Sequence, residues 1–122
     1  MLITDFYTLQ KTEITGDKIS ADILLNPNHE VYKGHFPGQP VVPGVIQLQI
    51  VKEILEEILG QQLFMDNVSS AKYLRIITPD AFPELKITIQ YSKTAENEIK
   101  VNALIGSLET IFTKLKMKLR WP

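Results

Sequence analysis

The chain has 122 residues, 44% of them hydrophobic, and a formal net charge of −1 at pH 7. That length suits one domain and is too short for two, and the balanced charge argues against a nucleic-acid or anionic-membrane partner held by bulk charge. The absence of cysteine excludes disulfides, thiol nucleophiles and cysteine metal sites; with no basic leader and no apolar run of transmembrane length, the expected location is the cytoplasm.

In chain order, Met1 to Phe6 fits either a short helix or an irregular lead-in. Tyr7 to Ile14 and Lys18 to Leu25 read as strands joined at Thr15-Gly16-Asp17, where glycine and aspartate supply turn chemistry. In the second strand Ile19, Ala21, Ile23 and Leu25 alternate with Lys18, Ser20, Asp22 and Leu24, one face turned inward and the other mostly outward. Asn26-Pro27-Asn28 ends it.

The stretch Gly34 to Gln49 holds three of the seven prolines, three of the six glycines and His35, one of two histidines. Pro37, Pro40 and Pro43 each lack a backbone donor and drive the preceding residue toward extended geometry, so this is a stiff loop. From Gly44 an apolar, helix-compatible run begins. First-turn amides have no partner within a helix and sit at the positive end of its dipole. Gly44 carries no side chain, so a carbonyl or oxyanion can rest against its N–H. A histidine braced nearby suits a general base near neutral pH; the alternative is a structural histidine in a proline-rich turn.

The helix is expected over Val45 to Leu59. Its second half places Val51, Ile54, Leu55, Ile58 and Leu59 on one side and Lys52, Glu53, Glu56 and Glu57 on the other. Its first two turns, with Val45, Ile46, Leu48 and Ile50, are apolar around most of the circumference and are expected to be buried. Gly60 closes the helix. Strands follow at Val68 to Ile77, Leu85 to Tyr91, Ile99 to Ile105 and Ile111 to Leu119, with turns at Thr94 to Asn97 and at Gly106-Ser107. One helix and five or six antiparallel strands make an α+β domain spanning residues 1–122, whose sheet must curl around the helix because no second helix covers it.

The string Gly34-His35-Phe36-Pro37-Gly38-Gln39-Pro40-Val41-Val42-Pro43-Gly44-Val45 resembles the signature of the 3-hydroxyacyl-(acyl carrier protein) dehydratases. Asn26 to Lys33 looks like that family's lead-in, and Ala71 to Asp80 resembles its following strand. The resemblance spans roughly residues 20 to 92. It implies a hotdog fold, one long central helix wrapped by a curled antiparallel sheet, dimerised edge to edge with active sites at the interface. It also implies His35 as the catalytic histidine and Gly44 as the backbone donor; Phe36, Val41 and Val42 are expected to line the acyl channel or to pack beneath the loop, the usual fate of such residues, and Val45 to meet the substrate at the helix start. An acyl carrier protein bearing the acyl group on its phosphopantetheine arm is the expected partner, met by Lys33 or Arg75. No further cofactor is implied, and no metal: two histidines six apart make a weak ligand set.

The family's acid falls five residues after that glycine, where this chain has Gln49. An amide can donate and accept hydrogen bonds but cannot trade a proton at ordinary pH. Three readings follow. The carboxylate has moved one helical turn to Glu53, in place of the family's glutamine; otherwise Glu53 belongs to the solvated stripe with Glu56 and Glu57. Alternatively the chain pairs with a different hotdog subunit that supplies the acid. Or it binds acyl thioesters without converting them. His29 is expected to be exposed or structural.

Overall fold

The computed structural model describes residues 5–33 and 40–121. His35 and Phe36 therefore lie outside the described residues, as do residues 1–4 of the lead-in. Asp5 and Phe6 form a bend rather than a helix, and the Phe6 ring is fully buried.

Strands β1 (Tyr7–Thr15) and β2 (Lys18–Leu25) form a hairpin. Its turn is Gly16-Asp17, with Gly16 at φ 62°, a region glycine enters without the Cβ penalty. A short 3-10 helix, Glu30–Lys33, precedes the proline loop. Helix α1 (Gly44–Leu59) follows, and then β3 (Phe64–Tyr73), β4 (Glu84–Ala95), β5 (Glu98–Ser107) and β6 (Thr110–Arg120). All pairings are antiparallel, in the spatial order β1-β2-β4-β5-β6-β3.

The sheet curls around α1 because each inner strand offers one apolar face. Ile19, Ala21 and Ile23 of β2, Ile87 and Ile89 of β4, Val101 and Ile105 of β5, and Leu115, Met117 and Leu119 of β6 are all buried. They close on Ile50, Val51, Ile54 and Leu55 of the helix. Burying each of these side chains other than Ala21 is worth roughly 1.5–3 kcal/mol. Gly60, at φ 68°, ends the helix and donates its N–H to the Glu56 carbonyl.

Four expectations need correction. β3 begins at Phe64 and stops at Tyr73 instead of running from Val68 to Ile77. Both the Leu74 and Arg75 amides turn onto the single Phe112 carbonyl, which ends the ladder, while Ile77 packs in the core from an irregular segment. The β5–β6 turn lies at Leu108-Glu109, so Gly106 and Ser107 remain in the strand. Leu108 takes a positive φ of 46° and points wholly into solvent. The first turns of α1 are not buried all round, since Val45 is 71% exposed. Finally, Glu53 does not share the solvated stripe; it is 2% exposed.

Candidate active site

Pro43 caps α1 in extended geometry, and its carbonyl accepts the first helical hydrogen bonds, from Ile46 and Gln47. The amides of Gly44 and Val45 lie ahead of that first bond, at the positive end of the helix dipole. Two tethers fix the segment leading into them. The Val42 N–H donates to the Ile77 carbonyl at 2.8 Å, and the Val42 carbonyl accepts from Gln47 Nε2 at 3.2 Å. Gln47 is in turn held by Thr113, whose Oγ1 donates to Gln47 Oε1 at 2.6 Å. Both residues are buried, so a polar strut crosses the core from β6 to the helix start. Val42, expected to line the acyl channel or to pack beneath the loop, is buried in the core beneath this turn.

Gly44 is also needed for packing. A Cβ there would come within 2.7 Å of Cζ and Oη of Tyr73, so the tyrosine ring rests directly on the glycine. Tyr73 is the last residue of the edge strand β3, and burial of its phenol raises its pKa. Val45, Tyr73, Leu74 and Ile76 together leave exposed apolar surface in this part of the chain.

About two and a half turns into α1 stands the carboxylate. Glu53 accepts a hydrogen bond on each oxygen, from Tyr7 at 3.1 Å on Oε1 and from Gln49 Nε2 at 3.0 Å on Oε2. The helix places Gln49 and Glu53 four residues apart on one face, where neighbouring side chains meet. Tyr7 reaches them from β1, 46 positions away. Burial pushes the Tyr7 phenol pKa up, and the Glu53 carboxylate beside it adds to the effect, so Tyr7 remains a proton donor. A groove of about 620 Å³ runs past this group, lined among others by Gln49, Glu53, Glu57, Gln62 and Phe64. Glu56 is committed elsewhere: it accepts the Leu63 N–H at 2.8 Å and meets Lys52 at 3.5 Å.

Thus Gln49 and Glu53 are in direct contact, Val45 and Gly44 share the helix start, and Val42 lies beneath it, while His35 and Phe36 fall outside the described residues. His29 is structural. Its Nδ1 accepts the Val31 N–H at 3.0 Å, and its ring meets Phe6 edge-on at 5.1 Å. Lys33 and Arg75 are exposed. Sequence reasoning missed Tyr7, Tyr73 and the Gln47–Thr113 strut. Only the strut had a local signal, a glutamine and a threonine on faces otherwise apolar. Among the described residues no cluster of His, Asp or Glu is arranged to hold a metal ion, and no helix is long and apolar enough to cross a membrane.

Residues 10–106 match the model of a family described as ApeI-like, the ApeI dehydratase. The 3-hydroxyacyl-[acyl-carrier-protein] dehydratase FabZ of Latilactobacillus sakei is 36% identical over 73 residues, which are 54% of this chain and 52% of the relative. FabZ of Lactococcus lactis is 34% identical over 84 residues, covering 63% of this chain and 56% of the relative. The chain thus spans about half to two thirds of the length of the curated relatives it matches. Among solved structures, a chain of the dehydratase heterocomplex ApeI:P from Xenorhabdus doucetiae superposes with a TM-score of 0.73 at 20% identity, covering 93% of this chain and 96% of that one. A putative thioesterase from Lactococcus lactis superposes at a TM-score of 0.68 and 15% identity, covering 99% and 95%. These structures share the fold, one helix held in a curled six-stranded antiparallel sheet.

Proposed function

Because the chain belongs to the ApeI-like dehydratase family, we propose that it eliminates water from 3-hydroxyacyl thioesters carried by an acyl carrier protein, in fatty acid or specialised lipid and polyene synthesis. In this reading His35 takes the proton from the carbon next to the thioester carbonyl. Charge developing on the carbonyl oxygen is received by the Gly44 amide at the start of α1. The C3–O bond breaks, and the departing hydroxyl takes a proton from Glu53, directly or through a water, to leave as water. The product is the 2-enoyl thioester, and the proton held by His35 resets the acid. The thioester arm of the carrier is the only prosthetic group required.

The observation that carries this assignment is the placement of Glu53. A carboxylate buried to 2% exposure, with a donor on each oxygen, is held on the helix one turn beyond the family's acidic position. A solvated charge has no need of such an arrangement, because burying a carboxylate is costly unless it is hydrogen-bonded or paired. Gln49, in the family's acid position, has its amide nitrogen committed to orienting Glu53. In this reading Phe36 and Val45, the latter exposed at the helix start, are the residues assigned to the acyl path, above the buried Val42.

The test is water elimination from 3-hydroxyacyl-carrier substrates by wild type, His35→Ala and Glu53→Gln. General acid assistance is worth roughly 10²–10⁴-fold, and Glu53→Gln should lose turnover by that factor. Parental turnover in Glu53→Gln removes Glu53 from the mechanism.

The active unit in this reading is a cytoplasmic dimer of single-domain chains joined along β3. That edge strand spans ten residues, pairs only with β6, and exposes Phe64, Val68 and Tyr73, an edge suited to pairing with another strand. A second reading, favoured by Gln49 and by the heterocomplex among the structural matches, makes this chain the impaired partner of another hotdog subunit. It predicts no turnover by the isolated chain and turnover on mixing with such a subunit.

A further inference from the structure

Residues 5–7 carry an arrangement that the reaction as described leaves unexplained. Asp5 takes a φ of 59°, in the left-handed region that a residue with a Cβ enters at a cost. Asn26 holds the bend there with two hydrogen bonds. Its side-chain Nδ2 donates to the Asp5 carbonyl at 2.8 Å, and its backbone N–H donates to the Phe6 carbonyl at 2.9 Å. Phe6 then anchors the bend in the core, its ring 5.1 Å from that of His29 and 5.5 Å from that of Tyr32. Backbone strain persists only where the surroundings over-determine it, and it gathers at functional sites. What this bend delivers is Tyr7, the first residue of β1, whose hydroxyl donates to Glu53 Oε1. Two successive residues thus touch both halves of the site. Phe6 packs on Tyr32 of the 3-10 helix that leads toward the proline loop, and Tyr7 reaches the carboxylate on α1.

We infer that Tyr7 is a positioning residue of the elimination, one that fixes the plane of the Glu53 carboxyl and makes it a stronger acid than Gln49 alone would. The inference rests on the function proposed above, in which Glu53 gives a proton to the departing hydroxyl. With Gln49 Nε2 on Oε2 and Tyr7 on Oε1, turning the carboxyl about its last bond breaks these hydrogen bonds. Donors to the ionised form of a carboxyl favour release of its proton, and burial opposes release. In a side chain as deeply buried as Glu53, the donors therefore govern how readily the proton leaves. Tyr7 supplies its donor throughout the working range, because burial and the carboxylates of Glu53, Glu57 and Glu56 keep the phenol protonated far above neutral pH. Among the described residues that line the groove beside Glu53, Lys52 pairs with Glu56, Glu57 is of like charge, and Gln61, Gln62 and Phe64 carry none.

The test follows the side-chain carboxyl carbon of Glu53 by carbon-13 NMR in glutamate-labelled protein from about pH 3 to 9, a span that brackets the carboxyl range. Its resonance is assigned by its loss in Glu53→Gln. Tyr7→Phe keeps the ring and removes only the hydroxyl. Its titration midpoint should lie about one unit above that of wild type, at the low end for a hydrogen bond to a charged group because 3.1 Å is long for an O–H donor. Saturated turnover of 3-hydroxyacyl-carrier substrate should fall about threefold to tenfold with KM unchanged, since a weaker acid slows proton delivery and not binding. Asp5→Gly keeps the bend without its strain, and its midpoint should stay at the wild-type value. An unmoved midpoint or unmoved turnover in Tyr7→Phe overturns the inference. So does an equal rise in Asp5→Gly, which would report loosening of the fold and not loss of a donor. The two readings separate cleanly. Parental turnover in Glu53→Gln removes the acid itself, and the proposed mechanism fails whatever Tyr7 does. Lost turnover in Glu53→Gln, with wild-type midpoint and turnover in Tyr7→Phe, leaves Glu53 as the acid and removes Tyr7 alone.

Discussion

Gln49→Glu places a carboxylate where the family resemblance expects one and at the same time tests the contact on which the Glu53 proposal depends. In the wild type, Gln49 Nε2 donates to Glu53 Oε2 at 3.0 Å. The substitution removes that donor and sets two carboxylates against each other. Two unit charges about 4 Å apart repel by about 4 kcal/mol at an effective dielectric of 20 and by about 1 kcal/mol in water. Gln49 is only partly buried and Glu53 almost wholly so, which places the repulsion between those limits. That is equivalent to about fivefold to a thousandfold in proton affinity. The pair therefore keeps one proton above the usual carboxylate range, as two carboxylates sharing a site do. The sign follows. The folded variant binds a proton that the unfolded chain has released, so its stability relative to wild type is highest at acid pH and falls as pH rises through neutrality. Thermal melts of both proteins from about pH 4 to 8 measure this directly, and the deficit of the variant should grow by about 1–4 kcal/mol across that window. The same shared proton supplies a general acid, so turnover of 3-hydroxyacyl-carrier substrate should hold or rise. Parallel melting curves across the whole range would show that the two side chains do not touch, and the Glu53 argument would fail with them.

Tyr32 is 6% exposed and its hydroxyl is buried with no hydrogen-bond partner among the described residues; Tyr32→Phe should therefore stabilise the fold by roughly 1–3 kcal/mol in thermal or urea melts. Burial, with Asp80 adding to it, raises the Tyr32 pKa, so the folded chain keeps a proton that the unfolded chain loses above about pH 10; stability falls from there upward, less steeply in Tyr32→Phe. Gln47→Leu strands the Thr113 hydroxyl and the Val42 carbonyl and should cost about 1–3 kcal/mol. Adding Thr113→Val should recover part of it, a non-additivity of about 0.5–3 kcal/mol measurable by a double-mutant cycle. A Cβ on Gly106 would meet the Thr110 carbonyl oxygen at 2.7 Å; because that atom is backbone, Gly106→Ala should lower stability by about 1–3 kcal/mol in urea melts.

Strands whose inner and outer faces differ sharply were legible from residues alone. In β5 and β6, branched or long apolar side chains alternate with Lys and Asn, and the observed burial follows that alternation. β3 was misplaced for the same physical reason. As an edge strand it is exposed along most of its length, so Asp66-Asn67-Val68-Ser69-Ser70 carries no clean period of two. The β5–β6 turn escaped notice because leucine at a positive φ is not turn chemistry. The residues proposed for the site that lie close in sequence, Gly44, Gln49 and Glu53, could be named from motif spacing and helical periodicity, and the helix sets Gln49 against Glu53. Whether Glu53 faced solvent or the interior depended on Tyr7 and the curl of β1, and no local pattern encodes a contact made across 46 residues. Val45 illustrates the reverse error: an apolar side chain at the start of a core helix was expected to be covered, and the sheet stops short of it.

The order of strands in space has a consequence for how the molecule is made. The edge strand that carries Tyr73 is third in the chain yet pairs only with the sixth, and the Gln47 amide waits for a hydroxyl 66 positions downstream. As the polypeptide leaves the ribosome, the helix and that edge strand emerge well before the C-terminal strand that anchors both. Such distant pairings close slowly, because chain entropy is lost before contacts compensate it. The mouth of the helix is therefore among the last parts to acquire its shape, and a nascent chain without its final strand has the residues of the site but nothing to hold them together.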